Sequence, residues 1–537
     1  MENNNTYDYI IIGSGFGGSV SAMRLVEKGY HTLVLERGKR FEDDELPRTN
    51  WDIRNYLWLP ILRCFGILQM SLSRGYFVYN SSGVGGGSLV YAATLMEPSD
   101  DFYNSPSWNQ LGDWKSILRP HYATAKRILG VATNPELWPA DKALQEVAEE
   151  LGRGENFRPT EVGVFFGEPG VEVPDPYFSG EGPSRKGCDH CGGCIVACRN
   201  NAKNDLTKNY LYFAEKMGAE IRAESQVDAI VPLAPDQPDG ARYSVQYHSS
   251  TAFLNKPNRI VRARNVIVTA GVLGTLALLL HCRDDLEALP KISKHLGERV
   301  RTNSEAFMGA FSHDETDDHS QGLAITSIFY ADDVTQVEPV RFPEDSSLLL
   351  RLLSSPIITQ RGGFLKRLGA TLIEIIKKPA EFFDTKFGRR LTKRGVALMF
   401  MQMEDNQMTL RQGRNPFAFF RRGLIAERKQ EYTVPIDIAL SHHITRSVAK
   451  KLNGYAGGSI TEGLLDVPMT AHILGGCAIG QDEDDSVVGV DCQVHNYPGL
   501  FVVDASIIPA NLGVNPALTI TALAEYAMSH VPEKDDR

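Results

Sequence analysis

The sequence predicts an α/β protein of two domains, and three observations support that prediction. With 537 residues, the chain is longer than a single hydrophobic core usually organises. Its composition, 42% hydrophobic and 23% charged, is that of an ordinary globular protein and excludes a disordered, collagen-like or coiled-coil chain. Near the amino terminus, the apolar residues 9–12 lead into a glycine-rich turn and a helical pattern, which indicates a strand–helix–strand unit in a parallel sheet.

The amino-terminal turn has the pattern of a dinucleotide-binding loop, with the residues Gly13-Ser14-Gly15-Phe16-Gly17-Gly18. Gly13 permits a tight turn, Gly15 lets the backbone approach a pyrophosphate, and Gly18 lets helix and strand pack closely. The helix that follows would attract the phosphates with its N-terminal N–H groups. A second apolar strand, residues 32–35, ends at Glu36, whose carboxylate can accept hydrogen bonds from both hydroxyls of an adenosine ribose. An acid here would repel a 2′-phosphate, which argues against a dinucleotide that carries one. NAD and FAD both remain possible cofactors.

Charge and hydropathy narrow the choice of partner. The chain has 56 basic and 66 acidic residues, a net charge of -10, so we expect no nucleic-acid partner. Its amino terminus lacks the basic region, apolar region and cleavage site of a signal peptide, so we expect a cytoplasmic start. The most apolar stretch, residues 266–282, is interrupted by threonines and glycines, which predict a strand, a turn and a helix rather than a membrane span.

A second glycine-rich stretch, residues 82–91, exposes backbone N–H groups and leaves space for a flat ring system. Together with the amino-terminal turn, it resembles the glucose-methanol-choline (GMC) oxidoreductase family and, within it, the bacterial cholesterol-oxidase-like branch. The resemblance continues through residues 265–275 and 296–304 and reaches the carboxyl terminus, so it covers most of the chain. It implies FAD as the cofactor, with the first glycine turn at the pyrophosphate and the second stretch beside the isoalloxazine ring.

The most specific motifs of this family lie in residues 472–477, 500–506 and 513–520. Oxidation of an alcohol by hydride transfer requires that the hydroxyl proton be held or removed, and a neutral imidazole suits that task. His472 is therefore the candidate base. The resemblance implies that Asn515 holds the substrate oxygen, because cholesterol oxidases pair His with Asn where many members have a second His. The implied substrate is a lipophilic alcohol, with a sterol such as a 3-hydroxysteroid as first choice and a long-chain alcohol as second.

The resemblance also implies which residues surround FAD. Asp504 is expected near the ribityl and pyrophosphate groups, and Pro516 opens a helix that faces the flavin ring. The cofactor-binding candidates are Gly13, Gly15, Phe16, Gly17, Gly18, Glu36, Arg37, Gly83, Gly86, Gly87, Ser88, Tyr91, Val227, Gly271, Asp504 and Pro516.

One departure from the branch concerns a second reaction. Cholesterol oxidases commonly have Asn where this chain has Tyr91, and they use a Glu of the substrate domain as the base of a double-bond isomerisation. Glu344 is the nearest local match to that base, although the match is loose and a solvated surface acid is the alternative.

Four of the eight cysteines crowd into residues 188–198: Cys188, Cys191, Cys194 and Cys198. Their spacing is that of a bacterial ferredoxin run, in which the first three thiolates ligate one [4Fe–4S] cluster. Ferredoxins place Pro after the last Cys, whereas Arg199 follows here, and zinc prefers two separated CxxC pairs. An iron–sulfur cluster, another metal and reduced structural thiols all stay open. A cluster would pass electrons singly to a quinone or cytochrome, whereas dioxygen is the simpler acceptor without one.

Two segments suggest contact with a membrane surface. Residues 51–70 include an apolar stretch that is too short and interrupted to span a bilayer. Residues 351–394 contain eleven Lys or Arg and three acids, a net charge of +8, with apolar residues interleaved at near-helical spacing. A core-facing helix with a solvated basic face is the alternative. In the first interpretation, the two segments form a lid on the inner face of the membrane, through which the substrate enters.

The motifs divide the chain into two interleaved domains. A Rossmann-like FAD-binding domain is expected from residues 1–50, 80–100, 200–305 and 465–537. An α+β substrate-binding or lid domain is expected from residues 51–79, 101–199 and 306–464. Two other functions stay open: a flavoprotein of the same fold with different chemistry, such as a fatty-acid photodecarboxylase or a lyase, and a non-catalytic membrane-associated flavoprotein.

Overall fold

A computed structural model describes residues 6–73, 75–253, 256–360, 362–415, 421–427 and 438–535. Arg361, one of the basic residues of the segment 351–394, lies outside the described residues. The strands are β1 (Thr6–Ile12), β2 (Thr32–Leu35), β3 (Trp58–Leu59), β4 (Cys64–Phe65), β5 (Leu68–Ser73), β6 (Tyr76–Ser81), β7 (Ala132–Thr133), β8 (Arg158–Pro159), β9 (Glu161–Val162), β10 (Glu172–Val173), β11 (Arg185–Lys186), β12 (Glu220–Arg222), β13 (Ser225–Pro232), β14 (Tyr243–Ser249), β15 (Arg259–Val268), β16 (Ala306–Ser312), β17 (Ser327–Tyr330), β18 (Thr335–Val340), β19 (Ser354–Ser355), β20 (Gly395–Gln402), β21 (Thr409–Asn415), β22 (Arg421–Glu427), β23 (Gly454–Ser459), β24 (Met469–Thr470) and β25 (Leu500–Val502). The α-helices are α1 (Phe16–Glu27), α2 (Ile53–Tyr56), α3 (Asp100–Tyr103), α4 (Trp114–Ile128), α5 (Pro139–Glu150), α6 (Tyr210–Lys216), α7 (Gly271–Leu280), α8 (Leu348–Leu353), α9 (Phe364–Lys377), α10 (Pro379–Phe387), α11 (Leu391–Arg394), α12 (Ala439–Lys451) and α13 (Ala517–Ser529).

The first large sheet contains the predicted strand–helix–strand unit. Its strand order is β12-β2-β1-β15-β14-β13, and β25 also pairs with β15. Strand β1 is parallel to both β2 and β15 and is buried along most of its length, as expected for a central strand with helices on both faces. Residues 266–282 form the end of β15, a turn and α7, which confirms the predicted strand, turn and helix. The α/β prediction is therefore confirmed.

The second large sheet supplies one wall of the functional site. Its strand order is β19-β23-β16-β20-β18-β17-β8, with antiparallel pairing throughout these strands. Helices α5 and α12 pack against it. Asp141 on α5 forms a wholly buried ion pair of 2.7 Å with Arg341 and also accepts a hydrogen bond from Ser327, which fixes this helix to the sheet. The division of the chain into two interleaved domains stays a prediction.

Within the segment 351–394, helices α9 and α10 expose large apolar side chains to solvent. The buried residues of α9 are Arg367 and Thr371, whereas Leu365 and Ile376 are 80% and 77% exposed. For α9, the alternative of a core-facing helix is therefore wrong. Within the described part of the chain, every helix is too short or too polar to cross a bilayer.

Candidate active site

One continuous cavity joins the two sheets and brings most of the predicted site residues together. At one end it reaches the glycine turn after β1, and in its wall lie both His472 and Asn515. The predicted cofactor residues on its surface are Gly13, Gly15, Phe16, Gly17, Glu36, Arg37, Gly86, Gly87, Tyr91, Val227, Gly271, Asp504 and Pro516. The part near the second sheet is apolar, with walls that include Phe307, Ile325, Val340, Phe342, Leu350 and Met399.

Three predicted cofactor residues, Gly18, Gly83 and Ser88, lie beside the cavity, not among the described residues that line it. A Cβ atom at Gly18 would lie 2.0 Å from the carbonyl oxygen of Gly13, so this glycine serves the close packing of helix on turn. Gly83 has a φ of +146°, and Ser88 donates a hydrogen bond of 2.7 Å to the carbonyl of Gly85. Gly83 and Ser88 therefore support the backbone of the second glycine-rich stretch without lining the cavity.

The glycine turn after β1 forms a cradle that fits a dinucleotide. A Cβ atom at Gly15 would meet nothing within 4 Å, so this position opens onto the cavity, whereas one at Gly17 would lie 1.7 Å from the Val503 carbonyl oxygen. Helix α1 begins directly after Gly15 with no side-chain cap, which leaves its first N–H groups available to an anion. The structure thus fits the predicted pyrophosphate site.

Two buried carboxylates hold the segments of this cradle together. Glu36 accepts hydrogen bonds from the backbone N–H groups of Ser14, at 3.0 Å, and Gly38, at 2.8 Å. Asp504 accepts from the N–H of Gly271, at 2.9 Å, and from Thr275 Oγ1, at 2.6 Å, at the start of α7. Burial raises the pKa of Asp504, although these hydrogen bonds oppose that shift. Both predicted acids therefore lie at the cavity as backbone anchors.

At the other part of the cavity, His472 is paired with a carboxylate that the sequence analysis did not identify. His472 Nδ1 lies 2.5 Å from Oε1 of the wholly buried Glu305, which leaves Nε2 to face the cavity. The backbone N–H of Ala471 donates to the other oxygen of Glu305, at 2.8 Å. Burial lowers the pKa of His472, but the charges of Glu305 and Glu338 outweigh burial, and the net shift of this pKa is upward.

A second carboxylate, Glu338, is hydrogen-bonded to Asn515 and lies close enough to His472 for its charge to act on that imidazole. Oε2 of Glu338 accepts a hydrogen bond of 3.5 Å from Asn515 Nδ2, and Oε1 accepts one of 2.7 Å from Gln336. Glu338 is wholly buried, and burial raises its pKa to about 7, although His472 acts in the opposite direction. Asn515 Oδ1 is buried and has no hydrogen-bond partner among the described residues.

Four separate segments bring these side chains together. Glu305 immediately precedes β16, Glu338 lies within β18, His472 follows β24, and Asn515 precedes α13. Side chains alternate along β18, so Glu338 lies on the same face as Val340, which lines the cavity, and it is buried behind Asn515. The signal for Glu338 was an acid within the short apolar stretch Val337-Glu338-Pro339-Val340.

The predicted match for an isomerisation base, Glu344, lies elsewhere. Its side chain is 60% exposed, and its carboxylate is 2.7 Å from Lys393 at the surface. The loop after β18 places Glu344 away from the cavity, whereas Glu338, six residues earlier, is the acid that accepts a hydrogen bond from Asn515.

The cysteine run does not fit a metal centre. Cys188 and Cys194 are buried and Cys191 is exposed, and no group of three or more His, Cys, Asp or Glu side chains among the described residues could hold a metal ion. Burial raises the pKa of the Cys194 thiol, which disfavours the thiolate that ligation needs. The buried Lys203 donates to the carbonyls of Cys194 and Leu89, both at 2.8 Å, so the run packs against the second glycine-rich stretch.

Comparison with known proteins assigns the chain to a family. Two family models described as GMC oxidoreductase match residues 183–282 and 455–524. A cholesterol oxidase from Acinetobacter baumannii is 41% identical over 99% of this chain and 95% of its own length. A cholesterol oxidase from Mycobacterium tuberculosis is 40% identical over 99% of this chain and 92% of its own length. The crystal structure of a pyridoxine 4-oxidase from Mesorbium loti shares the fold, with a TM-score of 0.61, 15% identity and coverage of 98% and 99% of the two chains. The chain therefore belongs to the GMC oxidoreductase family, whose members are FAD-dependent oxidoreductases.

Proposed function

We propose that the protein oxidises the hydroxyl group of a sterol with FAD as its cofactor. The observation that carries this proposal is the buried cluster of Glu305, His472, Glu338 and Asn515, which borders an apolar cavity that continues to the glycine cradle. Relatives named cholesterol oxidase, 40–41% identical over nearly the whole chain, favour a sterol over a long-chain alcohol. Their description as oxidases supports dioxygen as the electron acceptor, in preference to a quinone or cytochrome.

The cofactor would lie along the cradle. The pyrophosphate would bind at Gly15 and the first turn of α1. The ribose hydroxyls would bind Glu36 in place of the Ser14 hydroxyl, which donates a hydrogen bond of 2.8 Å to its Oε2. The flavin would lie near Gly87 and Pro516, since both line the part of the cavity that leads to His472. When bound, FAD supplies the acceptor for the hydride of the alcohol carbon.

The polar cluster would handle the proton and the oxygen of the substrate. Nε2 of His472 accepts the hydroxyl proton, and the Glu305 carboxylate at Nδ1 stabilises the imidazolium that results. Asn515 Nδ2 has two protons, one directed to Glu338 and one free to donate to the substrate oxygen. The apolar walls around this cluster exclude water, which strengthens these interactions.

The properties of Glu338 support a second proposed step, in which a double bond near the new carbonyl is isomerised. A carboxyl group with a pKa of about 7 is neither fully ionised nor fully protonated near neutral pH, so it can take a proton from one carbon and return it to another. Its hydrogen bond to Asn515, the residue assigned to the substrate oxygen, supports a position within reach of the carbons beside that oxygen.

The substrate would enter from a membrane surface through α8. Leu349 and Leu350 of α8 line the cavity, and Arg351 of the same helix donates hydrogen bonds to the carbonyls of Lys386, on α10, and Gly388. Helices α9 and α10 expose large apolar side chains next to basic ones, as in a helix that lies on an anionic lipid surface. Residues 51–62 add further exposed apolar side chains: Trp51, Ile53, Leu59, Ile61 and Leu62. The cytoplasmic side of such a membrane stays a prediction.

Gly15→Ala should separate cofactor binding from folding. The added methyl group enters space that the protein leaves open, so the fold should persist while the phosphate groups lose their close approach. We expect the flavin content of the purified protein, measured after release by denaturation, to fall about tenfold or more, which corresponds to ~1.4 kcal/mol of binding free energy. Gly423→Ala on β22, which also enters open space, is the control and should retain flavin. Full flavin content in the Gly15 variant would contradict the assignment.

Anaerobic mixing with a 3-hydroxysteroid tests the proposed reaction. The flavin absorbance of the holoenzyme should bleach, and His472→Gln should bleach about 10²–10⁴-fold more slowly, the usual contribution of a general base. His443→Gln, on the exposed side of α12, is the matched control and should react at the parent rate. If a long-chain alcohol bleaches the parent enzyme and sterols do not, the substrate assignment is wrong; if neither does, the oxidation itself is wrong.

Glu305→Gln should change the pH dependence of flavin reduction. Because the Glu305 charge raises the pKa of His472, its removal lowers this pKa, and the neutral imidazole then persists to lower pH. The acidic limb of the rate of bleaching against pH should therefore move to lower pH than in the parent enzyme. A limb that stays in place, or moves to higher pH, would show that Glu305 does not act on His472.

Given a sterol with an isolated double bond, the Glu338→Gln variant should form a different product from the parent enzyme. An amide cannot carry the proton between carbons, so the unconjugated ketone should accumulate, and chromatography with ultraviolet detection should find little conjugated enone. Glu344→Gln is the control and should yield the same product as the parent enzyme, because that side chain lies at the surface. Conjugated product at the parent rate from the Glu338 variant would exclude this residue as the isomerisation base.

Leu365→Ser combined with Ile376→Ser tests the membrane surface. Burying each aliphatic side chain in lipid contributes up to about 1.5–3 kcal/mol, so co-sedimentation of the holoenzyme with phosphatidylglycerol-containing vesicles should weaken at least about tenfold. The control Ile260→Ser with Leu286→Ser removes two exposed apolar side chains from other parts of the chain. Equal loss in both double variants would show that α9 has no special contact with lipid.

A further inference from the structure

A second cavity, of about 530 Å³, lies on the protein side of the exposed helices α9 and α10. Helix α12 and strand β23 form its opposite wall. It is separate from the cavity of the active site, although Ser354 of β19 lines both. Its walls carry four cationic side chains, Lys378, Lys386, Arg446 and Lys450, and two acidic ones, Glu374 and Glu381. None of these groups takes part in the proposed oxidation.

The two acids of this cleft are already paired. Glu374 accepts a hydrogen bond of 2.7 Å from Lys377, outside the cleft, and Glu381 forms an ion pair of 3.0 Å with Lys378. Lys386 donates to backbone carbonyls, including that of Ser354, at 2.7 Å. The acids therefore leave the positive charge on the opposite wall without compensation.

That charge belongs to Arg446 and Lys450. Both are exposed into the cleft, and neither forms an ion pair with any described residue. They lie four positions apart on α12, so the two like charges are neighbours on one face of the helix and repel each other. An anion bound between them would relieve this repulsion.

The chemistry of these groups specifies the anion. A guanidinium beside an ammonium group is the usual pair for a phosphate group, because the guanidinium can donate two parallel hydrogen bonds. The same two helices that close the cleft present apolar side chains to the outside, including Leu365, Ile376 and Phe387. A phosphate group bound in the cleft would therefore lie beside the helices that the proposed membrane contact places on lipid.

We infer that this cleft binds the phosphate headgroup of an anionic phospholipid, between Arg446 and Lys450. The inference rests on the proposed membrane contact and adds a specific lipid to it. A zwitterionic headgroup would bring its own cation next to these two side chains, so a phosphatidylglycerol-type lipid is the preferred ligand.

Calorimetric titration of the flavin-loaded holoenzyme tests the inference. The probe is dihexanoyl phosphatidylglycerol below its critical micelle concentration, so no membrane surface is present. We expect saturable binding that Arg446→Gln with Lys450→Gln weakens at least about tenfold, since two charged contacts are lost. The control Arg119→Gln with Lys142→Gln removes the same charge from two exposed positions on α4 and α5 and should bind like the parent.

Two further probes identify the source of the phosphate. Dihexanoyl phosphatidylcholine and inorganic phosphate should each bind at least about tenfold more weakly than the phosphatidylglycerol probe. Equal affinity for inorganic phosphate would overturn the lipid assignment, as would an undiminished affinity in the Arg446/Lys450 variant or no binding at all. Failure of the proposed oxidation would appear separately, because the titration contains no alcohol and requires no turnover.

Discussion

The burial of two carboxylates and an imidazole in one place is the constraint on which the rest of this site depends. A buried charge is stable only when other charges and hydrogen-bond donors surround it closely. Glu305 has His472 and a backbone N–H, and Glu338 has Asn515 and Gln336. With both carboxylates ionised the cluster would carry a net negative charge, and burial opposes this by raising the pKa of Glu338 to about 7.

This constraint explains why the two sheets cannot be separated without disrupting the site. Glu305 and Glu338 belong to strands of the second sheet or their ends, whereas Asn515 precedes a helix that packs against α1 of the first sheet. On the cofactor side, Glu36 has a similar role, because it fixes the turn at Ser14 through a backbone hydrogen bond. The interleaved order of the two domains along the chain follows from the need for partners from both.

Local sequence patterns predicted the first strand–helix–strand unit and the strand, turn and helix of residues 266–282. The strand–helix–strand unit follows from the spacing of Gly13, Gly15 and Gly18, and His472 was identified because its motif is contiguous. Glu305 and Glu338 could not be assigned to the site in this way, since His472 and Asn515 lie more than 160 positions away from them in the chain. The cysteine spacing suggested a cluster because spacing along the chain does not specify where sulfur atoms point, and the structure buries some and exposes others.

The apolar cavity and the exposed helices together restrict where binding energy can arise. A lipophilic substrate that leaves a bilayer for an apolar cavity exchanges one apolar environment for another, so the hydrophobic effect contributes little net affinity. Discrimination must then come from the polar end, where a bound hydroxyl gives Asn515 and His472 a hydrogen-bond partner within largely apolar walls. A substrate dissolved in water would instead gain most of its affinity from the burial of apolar surface, which would favour many lipophilic molecules equally. A peripheral position on lipid would therefore convert a permissive cavity into a selective one without any change in its walls.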